Sequence, residues 1–261
     1  MRVAVVIALL LTGCASTPPK EAVTDLAPNG TLRAAINVGN AVLAARGTPE
    51  PTGVSVDLAK ELARRLGVPL HLIVFDAAGK VVEAGKTGDW DIAFVALDPK
   101  RAAEIAQSPP YVQIEGAYLV RSNSKLTANE QVDARGHRIV VGRNSAYDLY
   151  LTRELKQAEL VRTPTSAMVT DTFIKENYEA AAGVKQQLES DARRVPGVRL
   201  LPGRFMVINQ AMASQRGKEA GARYVREFIE DMKASGFVAK ALERHKQTAA
   251  VAPPGDPKQE K

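Results

Sequence analysis

From residue 32 to residue 120, apolar and polar positions alternate between two periods. Leu32–Val38 is a short apolar run ending at Gly39-Asn40, and reads as a strand. The turn-rich segment Arg46–Gly53 follows. Leu58, Ala59, Leu62, Ala63 and Leu66 then recur at helical spacing, which predicts a helix over Val56–Leu66 with Ser55 as N-cap and Gly67 just past its end. Leu70–Phe75 is β-rich, and Gly79–Ala84 reads as a second helix closing at Gly85. Asp91–Leu97 is apolar almost throughout, as expected of a strand covered on both faces. Ala117–Val120 is a further strand.

After Ser122 the alternation restarts. Strands are predicted at Arg138–Val141, Glu159–Arg162 and Glu179–Val184, with Val198–Leu201 and Phe205–Met212 extended. Helices are predicted at Tyr147–Lys156, Thr165–Lys175 (Ser166 near its start), Lys185–Arg193, Glu219–Ser235 and Val238–His245. Strands alternating with helices imply an α/β fold with mostly parallel sheets flanked by helices, and the restart implies a second lobe.

The ends read differently. Met1-Arg2, an apolar run Val3–Leu11 and Leu11-Thr12-Gly13-Cys14 have the form of a secretory signal, too short to span a bilayer as a helix. The Leu-Thr-Gly-Cys ending is similar to a bacterial lipobox. That resemblance implies a signal peptide of residues 1–13, lipidation of Cys14 and a periplasmic, membrane-anchored lipoprotein. Residues 14–24 read as a tether and 247–261 as a disordered tail.

Cys14 is the chain's one cysteine, so disulfides and thiol chemistry are not expected in the folded part. His71, His137 and His245 are scattered, which argues against a zinc site, and no cofactor is expected. The formal charge of +6 is spread along a chain with few aromatics, unlike a nucleic-acid surface.

Gly53–Leu66 (GVSVDLAKELARRL) and Leu97–Tyr111 (LDPKRAAEIAQSPPY) resemble the corresponding motifs of the family 3 solute-binding proteins of ABC importers. GFVAKALERH near the C-terminus is similar as well. The resemblance implies a two-lobed type II periplasmic binding fold with a two-strand hinge. Lobe 1 would be 25–121 plus 214–246, and lobe 2 would be 122–213. It implies a monomer that captures a small carboxylate, an amino acid or related organic acid, and hands it to an ABC permease.

On this resemblance Arg101 is the carboxylate-binding arginine, with Asp98 standing where the motif has threonine. A guanidinium fork matches two carboxylate oxygens, although an exposed helix-start arginine would read the same way. Ser145, Ala146 and Tyr147 fall on a turn whose free N–H groups favour an anion; Ser145 is equally a simple N-cap. Asn40 either binds ligand or holds its turn. Gly79 would let backbone approach a ligand, and Lys80 either adds a positive charge or is solvated.

Val184 and Lys185 fall at the end of the strand where amino-acid binders usually place an aspartate for the ligand ammonium. Either Asp98, Asp148 or Glu189 supplies the acid, or the ligand lacks an α-ammonium. An alternative function on the same fold is a periplasmic enzyme, prephenate/arogenate dehydratase-like, which would need a positioned acid or base in the cleft.

Overall fold

The computed structural model describes residues 17–255. The expected signal peptide and Cys14 lie outside the described residues.

The first part of the chain forms α1 (Lys20–Leu26), β1 (Leu32–Asn37), α2 (Val54–Leu66), β2 (Leu70–Phe75), α3 (Ala78–Lys86), β3 (Ile92–Ala96) and the single turn α4 (Pro99–Ala102). A long strand, β4 (Ile105–Arg121), leads into β5 (Arg138–Gly142), α5 (Ala146–Glu154), β6 (Glu159–Thr163), α6 (Val169–Lys175), β7 (Ala180–Val184), α7 (Lys185–Arg194) and β8 (Val198–Leu200). The chain returns through β9 (Met206–Gln215) to α8 (Glu219–Ala234), α9 (Phe237–Arg244) and β10 (Ala250–Val251).

β2, β1 and β3 pair in parallel in the first half, and β6, β5 and β7 do so in the second. The two halves are joined by β4 and β9, which lie antiparallel side by side and run through both. β4 is 17 residues long, roughly 55 Å at about 3.3 Å per residue. It pairs with β9 from Ile105 to Gly116 and with β7 from Gly116 to Leu119. β9 pairs with β3 only from Gln210 onward. β4 thus exchanges its partners near Gly116, and β9 its own near residues 206–210.

Each half is covered on both faces, which is why β3 is buried at every position. In the first half, α2, α8 and α9 pack on one face through Leu58, Leu62, Phe228 and Leu242. α3 covers the other face through Val81, which packs with the wholly buried Trp90 from the turn before β3. Trp90 donates its indole N–H to the Val81 carbonyl at 2.8 Å. A Cβ at Gly85 would strike that ring at 2.7 Å. In the second half α5 shares one face with Ile139 and Val141, while α6 and α7 pack on the opposite face around Val140, Phe173 and Leu188.

Four local readings are corrected. α2 starts at Val54, so Ser55 is not its N-cap; it is buried and shares a hydrogen bond of 3.1 Å with the Tyr111 hydroxyl. The tether contains α1, whose Leu26 is buried and whose Asp25 accepts from the Gly221 N–H of α8 at 3.0 Å. The tail is ordered as far as Gly255: β10 pairs with Val112 and Gln113 of β4, and Ala252 is buried. Ala117–Val120 is only the end of β4, because Pro109-Pro110 interrupts the apolar pattern. There the ladder shifts register, and Ser108 Oγ accepts from the Met212 N–H at 3.1 Å in place of a strand partner.

Candidate functional site

Between the halves lies a cleft of about 730 Å³, its open mouth included. Of the expected site residues, Arg101, Asn40, Ser145, Ala146, Tyr147 and Val184 line it.

Arg101 is placed by three local features. β3 ends at Ala96; Asp98 caps the next turn by accepting from the Lys100 N–H at 2.9 Å; and Pro99 fixes that turn's first residue. The Arg101 side chain is 2 % exposed. Its guanidinium donates to the Ala96 carbonyl at 3.0 Å and, across the cleft, to the Asn144 carbonyl at 2.8 Å. Among the described residues it has no carboxylate within ion-pair distance. Burial lowers its pKa to about 10, only partly opposed by the nearby charge of Asp98, so it remains a cation at neutral pH. Two of its five N–H donors are used by carbonyls, which leaves the others for an anion in the cleft.

Opposite stands the N-terminus of α5. Ser145 caps it by accepting from the Asp148 N–H at 3.0 Å. The N–H groups of Ala146 and Tyr147 are two of the four that a helix start leaves without an intrahelical partner, and both residues line the cleft. They lie beside Asn144, whose carbonyl already binds Arg101. A carboxylate between Arg101 and this helix start would meet donors from both halves. Tyr147 donates to Ser166 Oγ at 2.7 Å, and burial raises its pKa.

The other expected residues lie away from the cleft lining. Asp98 is taken by the cap and by Arg153 of the second half at 2.9 Å. Lys80 bonds Asp76, four residues back on the same surface. Lys185 extends away from the cleft to Glu115 at 2.7 Å. Gly79 does allow a close approach, but to the opposite half: a Cβ there would stand 2.7 Å from the Asn144 Cβ. Of the acids considered for a ligand ammonium, Asp148 is occupied by Arg162 and by the Asn144 N–H, and Glu189 lies on a different depression.

The cleft also contains Arg143, Ser166, Gln210 and Asp191, which sequence reasoning missed. Gln210 is a buried polar residue in a strand, and its place in the apolar run FMVINQAM is the signal that marks it. Asp191 sits seven residues after Val184, hence on the same face of α7.

Among the described residues, no group of three or more His, Cys, Asp or Glu could hold a metal ion, and no helix is long and apolar enough to cross a membrane.

The profile of bacterial extracellular solute-binding proteins, family 3, matches residues 32–248. No curated protein matches the chain. Solved structures with the same fold include a solute receptor for L-cysteine of Neisseria gonorrhoeae. It is 21% identical with a TM-score of 0.74, over 85% of this chain and 92% of the other. An amino acid ABC transporter substrate-binding protein from Streptococcus pneumoniae, bound to L-arginine, is 18% identical with a TM-score of 0.73, over 88% and 99%. The ancestral amino acid-binding protein AncCDT-1, a precursor of cyclohexadienyl dehydratase, is 19% identical with a TM-score of 0.72, over 85% and 97%.

Proposed function

The chain belongs to the bacterial extracellular solute-binding proteins of family 3, and on that premise we propose that it captures a small carboxylate-bearing solute, an amino acid or related organic acid, by closing its two lobes over Arg101. One observation carries this reading. Arg101 is a buried cation on the cleft wall with no acidic partner among the described residues, facing a helix start with free N–H groups. Burying an uncompensated charge is costly, and a ligand carboxylate is the counter-ion that offsets the cost.

The mechanism is a shift between open and closed states. The carboxylate accepts from Arg101 on one lobe and from the Ala146 and Tyr147 N–H groups on the other, with Ser145 Oγ nearby. Those bonds exist together only in the closed state, so the ligand favours closure by its differential affinity. β4 and β9 are the two-strand hinge. The closed receptor delivers its solute to an ABC permease, and lipidation at Cys14 holds a monomer at the membrane in the periplasm. No bond is made or broken. The family match favours this over the dehydratase alternative, and incubation with prephenate or arogenate is expected to yield no product.

A thermal-shift screen of amino acids, dicarboxylates and keto acids tests the proposal. Binding adds RT ln(1 + [L]/Kd), about 2.7 kcal/mol at a hundredfold excess over Kd. At least one carboxylate is expected to raise the melting temperature of the wild type and to lose that effect in Arg101→Ala. An equal rise in the variant would refute the assignment.

A further inference from the structure

We infer that the ligand carries, besides the carboxylate held at Arg101, a cationic nitrogen several bonds away from it, and that Asp191 on α7 is the partner of that nitrogen. The inference rests on the carboxylate reading above.

Among the described residues, three formally charged side chains line the cleft: Arg101 in α4, Arg143 before α5 and Asp191 on α7. Other charges nearby are already paired away from the lining, as Asp98 is with Arg153, Asp148 with Arg162 and Lys185 with Glu115. Asp191 is therefore the one carboxylate that the described cleft presents to a ligand. Its side chain is 13% exposed, so an ion pair made there is only weakly screened by solvent. Its present partners are mostly neutral: it accepts from the Thr170 hydroxyl at 2.7 Å and from the Gln187 amide at 3.2 Å. Arg194 reaches it only at 3.5 Å and holds Asp171 more closely, at 2.9 Å. Arg143 is exposed and at the rim, where water weakens any second anion contact.

The position of Asp191 sets the spacing of the ligand's charges. α5 packs on one face of the second-half sheet, and α6 and α7 pack on the other. A carboxylate at the start of α5 and a cation at Asp191 therefore lie across the edge of the sheet from each other. Along α7 the cleft is lined by Val184 and Leu188 before Asp191 is reached. From Val184 to Asp191 the helix advances about 10 Å at 1.5 Å per residue. Asp191 thus stands about two turns beyond the strand end where the partner of an α-ammonium would lie, a place suited to the end of a chain of several methylenes carrying an ammonium or guanidinium. A second observation comes from the first lobe. Asn40 lines the cleft, and its Oδ1 is buried and accepts no hydrogen bond among the described residues. It needs a donor, and a ligand N–H supplies one.

Five-carbon acids separate the possibilities by titration calorimetry at pH 7: pentanoate, L-norvaline, 5-aminopentanoate, L-ornithine and glutarate. The two probes with a distal ammonium are expected to bind about tenfold to a hundredfold more tightly than pentanoate and norvaline, with glutarate weaker than either. Asp191→Asn, nearly the same shape, is expected to bring the ratio between 5-aminopentanoate and pentanoate close to one, and Asp191→Glu to keep part of it. Arg101→Ala is expected to weaken both probes while preserving their ratio. The inference is overturned if glutarate binds best, if norvaline equals 5-aminopentanoate, or if Asp191→Asn leaves the ratio intact. If none of the five binds the wild type, the carboxylate reading fails with it.

Discussion

The two walls of the cleft are built from opposite surpluses. On the first-lobe wall the acids are used up: Asp98 caps α4 and holds Arg153, and Asp76 holds Lys80. What is left facing the cleft is the cation Arg101. On the second-lobe side two bases are used up instead, Arg162 by Asp148 and Lys185 by Glu115, while Arg143 stays exposed. What is left is Asp191, together with the positive end of α5. Nearby residues of similar chemistry thus have different fates. Asp98 and Arg101 are three positions apart on one turn, yet Asp98 is paired to the opposite lobe by a protein side chain, whereas Arg101 reaches that lobe only through a carbonyl. A charge answered by another side chain helps hold the lobes together. A charge answered only by carbonyls, as at Arg101, or mostly by neutral side chains, as at Asp191, is open to a ligand.

The most severe way to break this contrast is Arg101→Ala. Removing one partner of a buried, hydrogen-bonded charge pair costs about 2–5 kcal/mol, so carboxylate binding is expected to weaken about thirtyfold or more by calorimetry. Asp191→Asn should remove the preference for a distal ammonium, as set out above. Gly79→Ala acts on neither charge. Its methyl would meet the Asn144 Cβ of the other lobe at 2.7 Å, and overpacking of that kind costs about 1–3 kcal/mol. All ligands are expected to weaken alike, and small-angle scattering should show a more open bound state.

Arg153→Ala leaves Asp98 without its partner across the lobes. A loss of about 1 kcal/mol, roughly fivefold in affinity, is expected. It should be uniform across ligands because Asp98 does not line the cleft. A loss confined to some ligands would place Asp98 in the binding site after all.

The smallest effect is at the hinge strand. Lys185 and then Arg204 hold the Glu115 carboxyl below its ordinary range. A lowered carboxylate pKa stabilises the fold above the ordinary value of about 4.3. That contribution is lost as pH falls through the lower folded value. Glu115→Gln should therefore lower stability by a few tenths of a kcal/mol at pH 7 and leave it nearly unchanged at pH values below the folded pKa, which flattens the acid decline of the melting temperature.

Much of the first lobe was legible in the sequence because its elements are locally consistent. The apolar spacing of α2 ends at Gly67, which takes the left-handed conformation at φ 69° that glycine permits. β3 is continuously apolar because both its faces are covered. The turn that carries Arg101 follows from Asp98 and Pro99. Elements defined by distant partners were less legible. β4 reads as a strand only at its end because its prolines sit at register shifts. α1 and β10 are short and weakly apolar, and are held by α8 and β4 rather than by their own propensity. In the candidate site, it was the likeness of Leu97–Tyr111 and of the turn at Ser145 to family motifs that pointed to Arg101 and the start of α5. Lys80 and Lys185 were misplaced because the direction of a long side chain is set by its acid partner, and sequence spacing does not reveal which acid that is. Asp191 went unread because its relation to the cleft passes through a helix face, two turns beyond the strand end where an acid was sought.

The most direct measurement of the central claim pairs a change in the protein with a change in the ligand. A carboxylate that binds the wild type and its primary amide are each titrated against wild type and Arg101→Ala. If Arg101 grips the carboxylate, each single change costs about 2 kcal/mol or more, and making both costs little beyond either one. If the two losses simply add, Arg101 and the carboxylate act independently, and the account of the site is wrong.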